Sequence, residues 1–272
     1  MLRSFQFPTN TNNIILSLFV HIKYMILFDT THQFFPYIVF EYIIVAFCFL
    51  LTILTFYRWY EKKTKLRLML FLFMGSYFLA LGGTALGQTL NYLVDVNMDN
   101  IFIHYLIGAK FSVFFTAVGT LFFHFLSKNI FHPEKELNKT RVRFIFLFAA
   151  ITMILTIIPT FDMTILLVGS IFMLFEALTI FVPTSIIAYH DYKKIESELR
   201  YGLYFLFLTA VLFIVLWLIQ ISNQIWDLVT NKMYGPFWYA HWALVITILF
   251  IAYLGFILPA WFRKFVKKRI ES

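Results

Sequence analysis

Cysteine occurs once in this chain, at Cys48, so no intramolecular disulfide can brace it. Charge is nearly as scarce. Asp, Glu, Lys and Arg make up 13% of the 272 residues, roughly half their share in soluble domains. With 61% hydrophobic residues, such a chain could not cover its own surface in water, and an ordinary soluble domain is excluded. No polar stretch is long enough for a separate soluble domain of about 50 residues. Catalytic signatures are missing as well: there is no HExxH, GxSxG, phosphate-binding loop or CxxC, and no Asp-rich pair suited to lipid-diphosphate chemistry. An enzyme is the least supported reading, and neither a cofactor nor a metal is expected.

What the chain has is long apolar runs. Seven stretches of spanning length, about 20 residues each, lie near 36–57, 66–90, 101–126, 144–161, 163–189, 201–224 and 236–261. Backbone groups in hydrocarbon must be satisfied within their own segment, so each run is expected to be a helix. The fold class predicted is all-α, a polytopic seven-transmembrane-helix bundle. Eighteen of the 22 Lys and Arg fall in four polar stretches: 58–67, 127–143, 190–200 and the tail after 261. Against seven acids, these stretches carry a net +11, while the rest of the chain nets −3. The positive-inside rule predicts a multi-pass protein of the cell membrane, with its N-terminus outside and its C-terminus cytoplasmic. The basic face would lie on the anionic inner leaflet. Charge spread over several juxtamembrane loops argues against nucleic acid as a partner.

Residues 14–28 are apolar apart from Ser17, His21 and Lys23. At 1.5 Å per residue they reach roughly 22 Å, short of a ~30 Å hydrocarbon core. A helix lying in the outer interface is the preferred reading, with a signal peptide or an eighth span as alternatives. The layout is then an extracytoplasmic segment 1–35, a membrane domain 36–261 and a basic tail 262–272. The first three spans also resemble the last three. Tyr57-Arg58-Trp59-Tyr60-Glu61-Lys62-Lys63 follows the first span, and Tyr189-His190-Asp191-Tyr192-Lys193-Lys194 follows the fifth. Leu66-Arg67 and Leu199-Arg200 open the next spans, and Gln88 and Gln220 follow those arginines by 21 and 20 residues. Glu41 corresponds loosely with Glu176, and His104 with His241. A 3+1+3 parallel repeat of this kind occurs in transporters; recurrence of interfacial Tyr and Lys in any membrane protein produces the same pattern.

Ionisable groups in hydrocarbon are costly and normally face the bundle interior or a cavity. Helical spacing puts Glu41 on one face with Cys48, Thr52 and Thr55. By the same spacing Gln88 aligns with Tyr77 and Thr84, and Glu176 with Gly169, Thr179 and Pro183. Gln220 aligns with Thr209, Trp217 and Asn223, and His241 with Ala252, Gly255 and Pro259. The fourth span has no such stripe and is expected at the periphery. Most of these polar groups sit toward the outer helix ends, as a pocket opening outward requires. Glu41, Gln88, His104, Lys110, Glu176, Gln220 and His241 are the candidates for ligand binding or a charge switch. Trp217, Trp226, Trp238 and Trp242 either wall that pocket or form an aromatic belt. An ammonium at the depth of Lys110 needs a partner. Glu176 or Glu41 is expected to provide it, or Lys110 snorkels outward. Gly83-x-x-x-Gly87 predicts a close helix approach. His124, His132 and His190 are expected to be solvated or interfacial at the basic boundary.

Seven-helix retinal proteins need a lysine in the middle of the last span, and 236–261 contains none. In layout the chain resembles the seven-helix sensory regions found ahead of prokaryotic histidine kinases. The resemblance lies in an outer N-terminus, short loops and a third span, Ile103–Phe125, of aromatic and small residues that contains a lysine. It departs from them in ending 11 residues past 261, with no kinase. The resemblance implies a stand-alone sensor or receptor-like protein that binds a small or amphipathic ligand and signals through a separate cytoplasmic or membrane partner. A small-solute transporter and a structural or assembly subunit are the alternatives.

Overall fold

The computed structural model describes residues 35–93, 98–131, 139–159, 162–195, 199–230, 237–257 and 262. Among them every regular element is helical: α1 (Phe35–Lys62), α2 (Lys65–Leu93), α3 (Met98–Phe131), α4 (Lys139–Ile157), α5 (Met163–Lys194), α6 (Leu199–Thr230) and α7 (Trp238–Ile257). All seven are long and apolar enough to cross a membrane. The segment 14–28, the tail after 262, His132 and Pro259 lie outside the described residues, as does the His104 side chain.

At the end of the bundle where the basic stretches gather, the helices outrun the apolar spans. α1, α3 and α5 continue to Lys62, Phe131 and Lys194, with Lys62, Lys128, Lys193 and Lys194 in their last turns. Cations beside the free carbonyls of a helix C-terminus are favourable, so the charge that ends the apolar run does not end the helix. α1 closes at Lys63, whose φ of 47° makes it the one described non-glycine residue in the left-handed region. At the opposite end, α4 stops at Ile157, two residues before Pro159, as the steric demand of proline favours. Asp162 caps α5 by accepting the Thr164 N–H at 2.8 Å.

Consecutive helices pack against one another and α7 returns to α1, closing a ring. α4 stands outside it, packed on α3 and α5, which also touch each other directly. Only 17% of its apolar window is buried, against 39–50% for the others, as its lack of a small or polar stripe predicts. α2 and α3 approach closely because glycines meet there. A Cβ on Gly108 would lie 3.0 Å from the Gly83 carbonyl oxygen and 3.1 Å from the Gly87 Cα.

In the half nearer the basic end, the ring is filled by aromatic side chains. Phe73, Phe123, Phe181 and Phe213 are fully buried, and Phe181 stacks on Phe213 with centroids 4.6 Å apart. Pro183 interrupts the hydrogen-bond ladder of α5, since its missing N–H leaves the Thr179 carbonyl without its usual donor. Arg141 of α4 fills that place: its Nε–H donates to the Thr179 carbonyl at 3.0 Å. Ser127 of α3 and Thr184 of α5 hydrogen-bond beside it at 2.9 Å. His124 corrects an expectation: it is 3% exposed, inside the bundle rather than solvated or interfacial, because α4 and α5 close over the α3 face that carries it. His190 is exposed and lies 3.3 Å from Asp191.

Candidate ligand cavity

Toward the other end, the ring does not close on itself. A cavity of about 70 Å³ opens between α2, α3, α6 and α7. α2 supplies Tyr77, Thr84 and Gln88 along one face, and α3 supplies Ser112 and Thr116. α6 adds Trp217, Gln220 and Asn223; α7 adds Trp238, His241 and Trp242. The remaining lining is aliphatic, and among the described residues no Lys, Arg, Asp or Glu reaches the wall. The volume is about half that of the ~150 Å³ engineered cavity known to bind benzene. It suits a few waters or one small solute, and a long amphipathic molecule would not fit.

The lining follows from the stripes. Tyr77, Thr84 and Gln88 are seven and four residues apart, and Trp217, Gln220 and Asn223 are three apart, so each set stays on one helical face. Of the seven candidates, Gln88, Gln220 and His241 line the cavity. The two glutamates stand behind it. Glu41 of α1 is fully buried and faces Gln88 without closing a hydrogen bond. Glu176 of α5 is also fully buried, within electrostatic reach of the Tyr77 hydroxyl.

Lys110 is the correction. Neither glutamate holds it, since all four of their carboxylate oxygens lack a hydrogen-bond partner. Its ammonium donates to the Ile158 carbonyl at the end of α4, at 2.7 Å, with Asp162 close by. It therefore ties α3 to the α4–α5 turn and does not line the cavity. Sequence spacing identified the helix face, but not that α4 would end there with an open carbonyl. The tryptophans divide. Trp217, Trp238 and Trp242 are buried walls, whereas Trp226 is 43% exposed on the outside. Ser112 and Thr116 were not among the candidates. Their i, i+4 spacing, continued by Thr120, was the available signal.

Buried polar atoms without a hydrogen-bond partner among the described residues concentrate around this cavity: both ends of the Gln88 amide, Trp217 Nε1, Asn223 Oδ1, His241 Nδ1 and the Tyr77 hydroxyl. A buried polar atom left unpaired costs about 1–3 kcal/mol, so this end of the bundle gives up stability to present donors and acceptors to a small space. Among the described residues no three His, Cys, Asp or Glu side chains converge as a metal site would require. No family model matches the chain, and no curated protein or solved structure is significantly similar to it.

Proposed function

We propose that this chain is a receptor-like sensor of the cell membrane that takes a small, neutral, polar ligand into the cavity between α2, α3, α6 and α7. The observation that carries the reading is the convergence of unpartnered amide, indole, imidazole and phenol groups on one uncharged space. A pocket of this kind is the default site for a small molecule, and the lack of charge in its wall favours a neutral guest. By the positive-inside rule the basic end faces the cytoplasm and the cavity faces outward. The ligand would bias the packing of α6 and α7 against α2 and α3. The basic stretch 127–143 would carry the change to a cytoplasmic or membrane partner. The test is thermal melting of the purified protein against a panel of small neutral amides, polyols and alcohols. Stabilisation by a panel member, lost in Gln88→Leu and Gln220→Leu, is expected; stabilisation that survives both variants would sink this assignment of the site.

A second reading is favoured by one observation. Gln88 and Gln220, which correspond in the 3+1+3 repeat, meet in the same cavity. The lining helices α2 and α6, and α3 and α7, are the corresponding pairs. A cavity between two halves is where a small-solute transporter would bind. Counterflow of a panel solute in proteoliposomes, abolished by Gln88→Leu, would select that reading; binding without flux would select the sensor.

A further inference from the structure

One buried acid near the cavity has no role in the reading above. Glu176 is fully buried at mid-helix in α5, and neither carboxylate oxygen has a hydrogen-bond partner. Lys110 of α3 donates to the Ile158 carbonyl and Arg141 of α4 to the Thr179 carbonyl. An ionised carboxylate is poorly tolerated in such a place unless it is paired. Tyr77 lines the cavity and lies within electrostatic reach of Glu176, though their oxygens do not hydrogen-bond. Its neighbours Phe73 and Phe213 are phenylalanines at ring distances of 5.1 and 5.4 Å, so a phenyl ring would pack there as well. Yet this position carries a hydroxyl that is buried and unpartnered. Gly119 gives that ring its way across α3, since a Cβ there would come within 2.8 Å of Tyr77 Cε2. Ser112, Thr116 and Thr120 form a ladder of hydroxyls along α3. The first two line the cavity, and the third faces the Tyr77 hydroxyl.

We propose that Glu176 is a proton-binding site loaded from the cavity through Tyr77, with Thr120 steering the hydroxyl. In loading, Tyr77 closes to hydrogen-bond distance of Glu176, and a hydronium ion in the cavity gives a proton to the Tyr77 oxygen as the Tyr77 phenolic proton passes to a Glu176 oxygen. One O–H bond breaks at the hydronium and one at Tyr77, one forms at Tyr77 and one at Glu176, and water is left behind. Unloading is the reverse. The titratable groups around this level are Tyr77 of α2 and Cys48 of α1. Arg141 of α4 donates to the Thr179 carbonyl of α5, nearer the basic end, where His124 and Lys128 of α3 also lie. α6 packs Phe213 and Trp217 there, and α7 presents no charged side chain among the described residues. Toward the basic end the path is blocked by Phe73, Phe123, Phe181 and Phe213, so the proton enters and leaves on the cavity side. This inference stands on the geometry beneath the cavity and not on the ligand the cavity takes.

Infrared difference spectroscopy of the full chain in lipid, transferred from H2O to D2O, tests it without any ligand. Glu176→Gln is expected to remove one protonated-carboxyl C=O band. Tyr77→Phe, which keeps the ring, should slow deuterium exchange of that band by about a hundredfold, the low end of what a positioned proton-transfer group contributes. Glu176→Asp, which keeps an acid, should shift the band without deleting it and guards against misfolding of the glutamine variant. The band of Glu41, removed separately by Glu41→Gln, should exchange at an unchanged rate in Tyr77→Phe. Two results would overturn the proposal: no protonated-carboxyl band assigned to Glu176, or equal exchange rates with and without the Tyr77 hydroxyl.

Discussion

In the half of the bundle nearer the basic end, polar side chains are tied to the backbone or to each other. Arg141 holds the carbonyl that Pro183 releases, Ser127 pairs with Thr184, and Arg67 donates to the Arg58 carbonyl at 2.9 Å. His124 Nε2 is the one buried side-chain polar atom there that lacks a partner among the described residues. The space between these groups is filled by stacked phenylalanines. In the other half, the amides of Gln88 and Gln224, the Trp217 indole and His241 Nδ1 are buried without a hydrogen-bond partner among the described residues, and the helices leave a gap. One half is arranged for packing and the other for recognition. The same chain can do both because the satisfied, close-packed half supplies the stability that the open half lacks.

The largest expected effect breaks the packed half. Phe213→Ala removes the ring at the centre of the aromatic stack and should destabilise by about 3–5 kcal/mol, seen as a lower melting temperature in detergent with loss of the native tryptophan signal. Next, Gly108→Ala sets a methyl group against the α2 backbone and should cost about 1–3 kcal/mol as overpacking. Gly83→Ala should cost less in the same melt, because the atom it meets is the ring of Phe111, 43% exposed and able to swing outward. A subtler break is Arg141→Met, which strands the Thr179 carbonyl for about 1–3 kcal/mol. Pro183→Ala restores an N–H to that carbonyl, so in its background Arg141→Met should cost clearly less. A double-mutant cycle reads the coupling, and additive losses would refute the link. The smallest effect belongs to the open half. Gln88→Leu deletes two unpartnered atoms and should move stability by no more than about 1 kcal/mol in either direction, while abolishing ligand-induced stabilisation. A large loss of stability would mean that Gln88 belongs to the packed framework after all.

Much of the cavity was legible residue by residue. Tyr77, Thr84 and Gln88 on α2, and Trp217, Gln220 and Asn223 on α6, were readable because a helix of known period puts them on one face. Ser112 and Thr116 on α3 carried the same signal, but Thr116 bonds back to the Ser112 carbonyl at 2.7 Å. Such self-satisfied hydroxyls read as ordinary helix residues. Lys110 shows where face arguments stop. Its helical position marked it as buried and in need of a partner, and it is buried with a partner. That partner is a backbone carbonyl at a helix end, which no pattern of side chains announces.

The sequence alone determined the seven helices, the exclusion of α4 from the interior and the separation of a basic end from a polar one. These depend on local rules: a backbone in hydrocarbon must bond within its own segment, and hydropathy and charge set where each segment stops. The tertiary structure decided that Gln88 and Gln220 share one cavity, that Glu41 and Glu176 stand behind its walls and that Lys110 turns to the end of α4. Those outcomes depend on how far apart helices pack and how they are rotated about their axes. Helix rotation and spacing come from contacts between residues distant in the chain, such as the glycines of α2 and α3 and the phenylalanine stack, and no single segment encodes them.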